Sequence, residues 1–160
     1  MGVNWLPKEI KNHEYRVDMT PAGVQELVQQ GHEVLIEHLA GNVMGLNDEL
    51  YEQAGVTVIN SAKSIHDRAE LIVKVKEPQP QERRWLRPGQ ILFTYLHLAA
   101  DKQQTQDLLD SGDTCIAYET VTNKRGGLPL LAPMSEIAGK LSIQMDCRVL
   151  KNSDAIKPLC

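Results

Sequence analysis

The chain has 160 residues, 42% apolar and 24% charged, so it is long and apolar enough to bury the core of one folded domain. Its formal net charge is −4 and its basic residues are scattered, which excludes the basic surface that a nucleic acid or an anionic membrane would require. No apolar run reaches the roughly 18 residues of a membrane span and no signal peptide is evident, so we expect a cytoplasmic protein.

Helix-start residues and glycine stops alternate with short β-branched, apolar runs along the chain. Thr20 followed by Pro21 is typical of a helix start, because proline loses nothing at the first helical position. Gly31 then ends the predicted helix. The same pattern returns after Asn47, Ser61 and Asp101, with Gly55 and Gly112 as stops. The predicted strands are Glu33–Ile36, Val56–Ile59, Leu71–Lys76, Ile91–His97 and Cys115–Tyr118, after a short first strand.

This alternation of strands and helices predicts an α/β fold, with an open parallel sheet and helices on both faces, of the Rossmann-like kind. Right-handed crossovers bring the carboxyl ends of all the strands to one edge of the sheet. Because ligands of open α/β sheets bind at that edge, the predicted site lies there.

The chain is predicted to divide into three parts. Residues 1–133 contain the predicted α/β domain. Residues 134–147, where apolar side chains recur at helical spacing, begin a further helix. Residues 148–160 lose this periodicity, and we expect a loosely held, mobile tail.

Two lysines near the end of one strand form the first candidate for a ligand site. In Leu71–Lys76, period-two alternation places Lys74 and Lys76 on one face. They could be solvated charges on an edge strand, which protect sheets against aggregation. Alternatively, Lys76 could face a ligand at the carboxyl edge.

A histidine and an arginine are candidates at the same edge. Tyr95 and His97 share a face of the strand Ile91–His97, and the topology brings His97 to the edge that carries Lys76. A histidine beside a lysine could combine proton transfer with anion binding, although a satisfied rim histidine is the commoner case. Arg16 follows the first strand and could hold a carboxylate through two hydrogen bonds, or be a solvated loop residue.

Other polar residues give weaker signals. Cys115, Cys147 and Cys160 follow no metal-ligand spacing, so we expect free thiols and no metal site. We assign the remaining histidines, His13, His32, His38 and His66, to the surface. No GxGxxG turn follows a strand, so we do not expect this chain alone to bind NAD.

Five ordered motifs resemble the alanine dehydrogenase family. They are PKEIKNHEYRV with TPAGV, LIVKVKEP, LRPGQILFTYLHLAAD, IAYETV and LPLLAPMSEIAGK, and they extend from about Pro7 to about Gln144. The first is shared with the proton-translocating nicotinamide nucleotide transhydrogenases. KVKEP and TYLHLAAD are similar to the alanine enzymes specifically.

The resemblance implies an NAD-dependent oxidoreductase that converts L-alanine reversibly to pyruvate and ammonia. By motif, Arg16 and Lys76 would bind the substrate, and His97 would be the acid/base residue. Tyr95, Met134 and Ser135 would line the cleft between substrate and cofactor. The chain would be the substrate-binding half of such an enzyme, truncated before the NAD-binding domain. Residues 1–133 would be an incomplete substrate-binding domain, and residues 134–147 would begin the helix that connects the two domains.

The sequence also departs from the family pattern. Trp5-Leu6 replaces a pair that usually begins with glycine, and Asp18 stands where a small apolar residue is usual. The resemblance leaves an alternative open, in which the chain is a non-catalytic domain or the relic of a truncated gene. In that case it would associate with itself or with homologous subunits.

Overall fold

The computed structural model describes the backbone of residues 2–152 and their side chains, apart from those of residues 64, 65 and 149–152. The chain divides into two compact units, Met1–Tyr118 and Glu119–Cys160. This division precedes the predicted boundary after residue 133.

The first unit contains all six strands and five of the helices of the described chain. The strands are β1 (Val3–Leu6), β2 (Glu33–Glu37), β3 (Thr57–Ile59), β4 (Leu71–Val73), β5 (Ile91–Thr94) and β6 (Thr114–Ala117). The helices are α1 (Pro21–Gln29), α2 (Asp48–Gln53), α3 (Ala62–His66), α4 (Pro80–Arg83) and α5 (Lys102–Ser111). Short 3-10 helices lie at Asn42–Met44, Leu98–Ala100 and Tyr118–Thr120.

The sheet is entirely parallel, in the order β3-β2-β1-β4-β5-β6, which confirms the predicted α/β class. From β1, the chain adds β2 and β3 on one side of the sheet and then β4, β5 and β6 on the other side. The topological switch point therefore lies between β1 and β4. A row of paired residues crosses the sheet at that point, with Trp5 opposite Leu35 and Ile72, and Ile72 opposite Leu92. All four are at most 1% exposed and belong to the main hydrophobic core. Each such side chain contributes roughly 1.5–3 kcal/mol through burial.

Local sequence signals set the helix boundaries. The side chains of Thr20, Asn47 and Asp101 accept hydrogen bonds from backbone N–H groups three residues later, as N-caps do. Gly31 and Gly112 stand after helices with positive φ angles of 85° and 69°, a conformation that favours glycine. These helix starts and stops confirm the predictions.

His66 corrects one prediction, because it is buried and not at the surface. Its ring is 1% exposed and makes edge contacts with Trp5 and Trp85, at centroid distances of 4.4 and 5.2 Å. Burial, together with the positive charges of Lys74 and Arg87, lowers the pKa of His66 to about 4, so the ring is neutral at pH 7. Its position at a helix end gave no sign of the two tryptophans that cover it.

The second unit contains α6 (Ala132–Asn152) within its described part. The helix extends five residues beyond Cys147, so it includes residues 148–152, the start of the tail whose mobility stays a prediction. Residues 153–160 of the predicted tail lie outside the described residues. No helix in residues 2–152 is long and apolar enough to cross a membrane.

Candidate functional site

The candidate site lies at the carboxyl edge of the sheet, beside the switch point between β1 and β4. Three segments leave the sheet there, namely residues 7–20 after β1, residues 74–79 after β4 and residues 95–97 after β5. They contain four of the six predicted site residues, Arg16, Lys76, Tyr95 and His97.

Lys74 lies in a buried ion cluster beneath this edge. Its ammonium nitrogen is 2.8 Å from Glu82 Oε1 and 3.3 Å from Glu9 Oε2, and all three side chains are at most 5% exposed. Burial raises the pKa of Glu9, and the nearby Lys74 charge opposes the shift. The alternative of solvated edge-strand charges is therefore wrong for Lys74, and β4 is an interior strand.

Glu9 connects this cluster to the segment that carries Lys76. Its Oε1 accepts hydrogen bonds from the backbone N–H groups of Val75, at 2.7 Å, and Lys76, at 3.1 Å. On the other side, the Thr94 hydroxyl donates to the Lys76 carbonyl at 2.9 Å. β4 ends at Val73, three residues earlier than predicted, although the Lys74 N–H still donates to the Phe93 carbonyl. Glu9 and Thr94 hold the chain beyond that point. The backbone that presents Lys76 is consequently fixed.

Glu14 orients the guanidinium group of Arg16. Arg16 Nε and Nη2 donate to the two carboxylate oxygens of Glu14 at 2.7 and 2.6 Å, and the Arg16 backbone N–H donates to the same group at 3.0 Å. The Arg16 hydrogen bond lowers the pKa of Glu14, and the charge of Lys76 adds to this effect. Arg16 and Lys76 are thus both electrostatic neighbours of one carboxylate.

A cavity of about 330 Å³ opens beside Arg16. Its lining combines one arginine, one aspartate, one threonine, two tyrosines and four apolar residues: Arg16, Val17, Asp18, Thr20, Met44, Leu46, Val75, Tyr95 and Tyr118. Such a cavity, mostly apolar with a few polar groups, has the character of a small-molecule site. Lys76 and His97 are not among its lining residues.

The ring of His97 stacks on Tyr95, with centroids 6.1 Å apart and planes 12° from parallel. Strand alternation does not produce this contact, because β5 ends at Thr94. Instead, the backbone enters the left-handed region at His97, with φ 50° and ψ 41°, and the imidazole remains exposed. Tyr95 is 6% exposed and lines the cavity, so it links the exposed His97 to the cavity that Arg16 lines.

Met134 and Ser135 lie in the first turn of α6, in the second unit. Their place beside the substrate stays a prediction.

Sequence reasoning did not select Asp18 or Tyr118 as site residues, although Tyr118 donates to Asp18 Oδ1 at 2.8 Å and both line the cavity. The two residues are 100 positions apart in the sequence, and only the fold brings them together.

No group of histidine, cysteine, aspartate or glutamate that could hold a metal ion occurs among the described residues. Cys115 and Cys147 are free thiols, as predicted.

The position that holds a dinucleotide in Rossmann folds does not suit a dinucleotide in this domain. The connection from β1 to α1, residues 7–20, contains no glycine, and α1 begins with Pro21, which has no N–H to offer a phosphate.

The fold and the cavity define a class, namely a Rossmann-like α/β domain with a candidate small-molecule site at the switch point of its sheet. Residues 5–138 match the family model described as the alanine dehydrogenase/PNT N-terminal domain. The chain belongs to this family.

Several alanine dehydrogenases are similar to the chain over most of its length. The enzyme of Halomonas elongata is 53% identical over 148 residues, which are 92% of this chain and 40% of the relative. The Bacillus subtilis enzyme is 51% identical over 146 residues, 91% of this chain and 38% of the relative. The chain therefore spans about two fifths of the length of the relatives it matches.

Two solved structures are also similar to the chain over part of their length. An L-alanine dehydrogenase superposes with a TM-score of 0.85 at 50% identity, covering 93% of this chain and 41% of that chain. A transhydrogenase from Sinorhizobium meliloti superposes with a TM-score of 0.70 at 26% identity, covering 77% of this chain and 37% of that chain.

Proposed function

We propose that this chain supplies the substrate-binding half of an NAD-dependent alanine dehydrogenase, which converts L-alanine to pyruvate and ammonia. The observation that carries the proposal is Arg16, which lines a small cavity together with Tyr95 and whose guanidinium is oriented by Glu14. A planar guanidinium fits a carboxylate, the group that alanine and pyruvate share.

In the proposed mechanism, the residues of this chain bind the substrate and transfer protons. Arg16 holds the substrate carboxylate, and Lys76 adds positive charge at the carbonyl end. His97, exposed and stacked on Tyr95, carries protons as the imine is hydrolysed. The connection between β1 and α1 does not fit NAD, so we assign the cofactor to a domain other than the one described.

Binding of pyruvate and L-alanine to the purified chain tests this proposal. We expect ligand-observed NMR to detect both, and Arg16→Lys to weaken both by roughly tenfold, because lysine cannot reproduce a two-point bond to a carboxylate. Arg125→Lys, on an exposed loop, is the matched control and should change neither affinity. For NAD we expect no saturable binding tighter than about 1 mM. Equal affinities in the wild type and Arg16→Lys would contradict the role of Arg16.

The apolar surface of α6 supports a second candidate function, self-association. Ile137, Leu141 and Met145 recur every fourth residue and are 59%, 51% and 57% exposed, so they form a stripe along the helix. Apolar stripes of this kind are typical of interfaces between helices. We propose that α6 packs against α6 of a second copy or of a homologous subunit.

Sedimentation velocity tests this association. The wild-type chain should form dimers or larger assemblies as its concentration rises, and Ile137→Glu with Leu141→Glu should shift it to monomers, because burying two carboxylates is unfavourable. The pair Lys140→Glu and Ser142→Glu alters neighbouring exposed positions outside the stripe and serves as the control. A wild-type chain that stays monomeric at all concentrations would rule out self-association through α6.

A further inference from the structure

Asp18 and Arg16 line the same cavity. Asp18 Oδ1 accepts a hydrogen bond of 2.8 Å from the Tyr118 hydroxyl. Tyr118 is itself held by edge contacts with Phe93 and Tyr95, at centroid distances of 4.2 and 4.9 Å. The Asp18 carboxylate is therefore fixed in orientation, and the cavity is lined by one positively charged and one negatively charged residue.

We propose that Asp18 determines specificity by binding the α-ammonium group of an amino acid while Arg16 binds its α-carboxylate. This inference rests on the proposed function and extends it, because it gives the amino acid and the α-keto acid different contacts with the protein. An amino-acid zwitterion satisfies both charges. An α-keto acid offers a carboxylate to Arg16 but has no cation for Asp18.

The charge of Asp18 depends on pH within an accessible range. Burial raises its pKa to about 6, and the hydrogen bond from Tyr118 opposes that shift. Of the charged groups around it, Glu9 favours the protonated form and Lys74 favours the ionised form, while Arg16 lines the same cavity. Above this pKa, Asp18 is ionised and attracts an ammonium group. Below it, the neutral acid no longer repels an anion.

The two ligands should consequently respond to pH in opposite directions. L-Alanine keeps its net-neutral zwitterionic form between pH 5 and pH 8, and pyruvate stays an anion, so only the protein changes charge. On raising the pH across the pKa of Asp18, we expect the affinity for L-alanine to rise and that for pyruvate to fall. Each change should be roughly tenfold, the size expected for one hydrogen bond to a charged group.

The experiment titrates the purified chain with L-alanine and with pyruvate at pH 5 and pH 8, using ligand-observed NMR. In Asp18→Asn, which preserves an acceptor for Tyr118, we expect both pH dependences to disappear and pyruvate to bind more tightly at pH 8. If this variant does not fold, Tyr118→Phe provides the test. Loss of its hydrogen bond should move the midpoint of the alanine dependence to higher pH.

The outcomes distinguish this inference from the proposed function. If Arg16→Lys weakens both ligands but Asp18→Asn leaves both pH dependences intact, the role of Asp18 is wrong and the substrate site stands. If the folded wild type binds neither ligand, or Arg16→Lys changes nothing, both are wrong. Parallel responses of the two ligands to pH would also overturn the role of Asp18.

Discussion

Lys74→Met should lower the free energy of unfolding at pH 7 by about 3–5 kcal/mol, the cost of removing one partner from a buried ion cluster. Methionine reproduces the unbranched lysine side chain up to Cε and lacks only the ammonium group, so most of the loss comes from charge and not from a cavity. Glu9 and Glu82 would remain almost fully buried with no cation between them. Their mutual repulsion and desolvation then favour unfolding.

Lys76→Met is the matched control for this prediction, because it makes the same chemical change two residues away. Lys76 is only partly buried, and we expect a change within about 1 kcal/mol. The difference between the variants should shrink as the pH falls, because protonation of Glu9 removes one of the two uncompensated negative charges. Burial already raises the pKa of Glu9, which brings its protonation to a higher pH. Urea unfolding monitored by circular dichroism measures the free energy of unfolding of both variants. Equal values would contradict the stabilising role of Lys74 in the buried ion cluster.

His97→Gln should lower the rate of alanine oxidation by about 10²–10⁴-fold in an assembled enzyme, as expected for loss of a general acid/base. The assembly is a hybrid, in which the part of this chain that aligns with the Bacillus subtilis enzyme replaces the corresponding segment of that enzyme. Glutamine keeps hydrogen-bonding capacity but cannot carry a proton. Pyruvate binding should therefore persist while turnover falls.

His32→Gln is the control for this variant. His32 immediately precedes β2 and so lies at the amino edge of the sheet, away from the site. We expect its rate to equal that of the unaltered hybrid in a spectrophotometric assay of NADH formation. If His97→Gln retained the full rate, His97 would have no part in proton transfer.

Local features of the sequence predicted most of the fold. Thr20, Asn47 and Asp101 cap helices through bonds to residues only three positions away, so their chemistry is visible in the sequence. The parallel sheet follows from the alternation of such helices with apolar runs. The strand ends were less predictable, because Glu9, 67 residues from Lys76 in the sequence, binds the N–H groups of Val75 and Lys76.

The same distinction applies to the candidate site. Arg16 and its partner Glu14 are two residues apart, so their pairing is a local feature. Lys74 looked like Lys76 in the alternating pattern, and only the fold gives it two buried carboxylates. Asp18 likewise has no local partner. Its hydrogen bond comes from Tyr118, which periodicity assigned only to the end of a strand.

The reduction of NAD by L-alanine in the unaltered hybrid tests the central proposal most directly, because every other part of that enzyme comes from a named alanine dehydrogenase. We predict NADH formation that requires L-alanine and saturates as its concentration rises. A hybrid that folds and binds NADH but forms no NADH from L-alanine would contradict the proposal that this chain provides the substrate site.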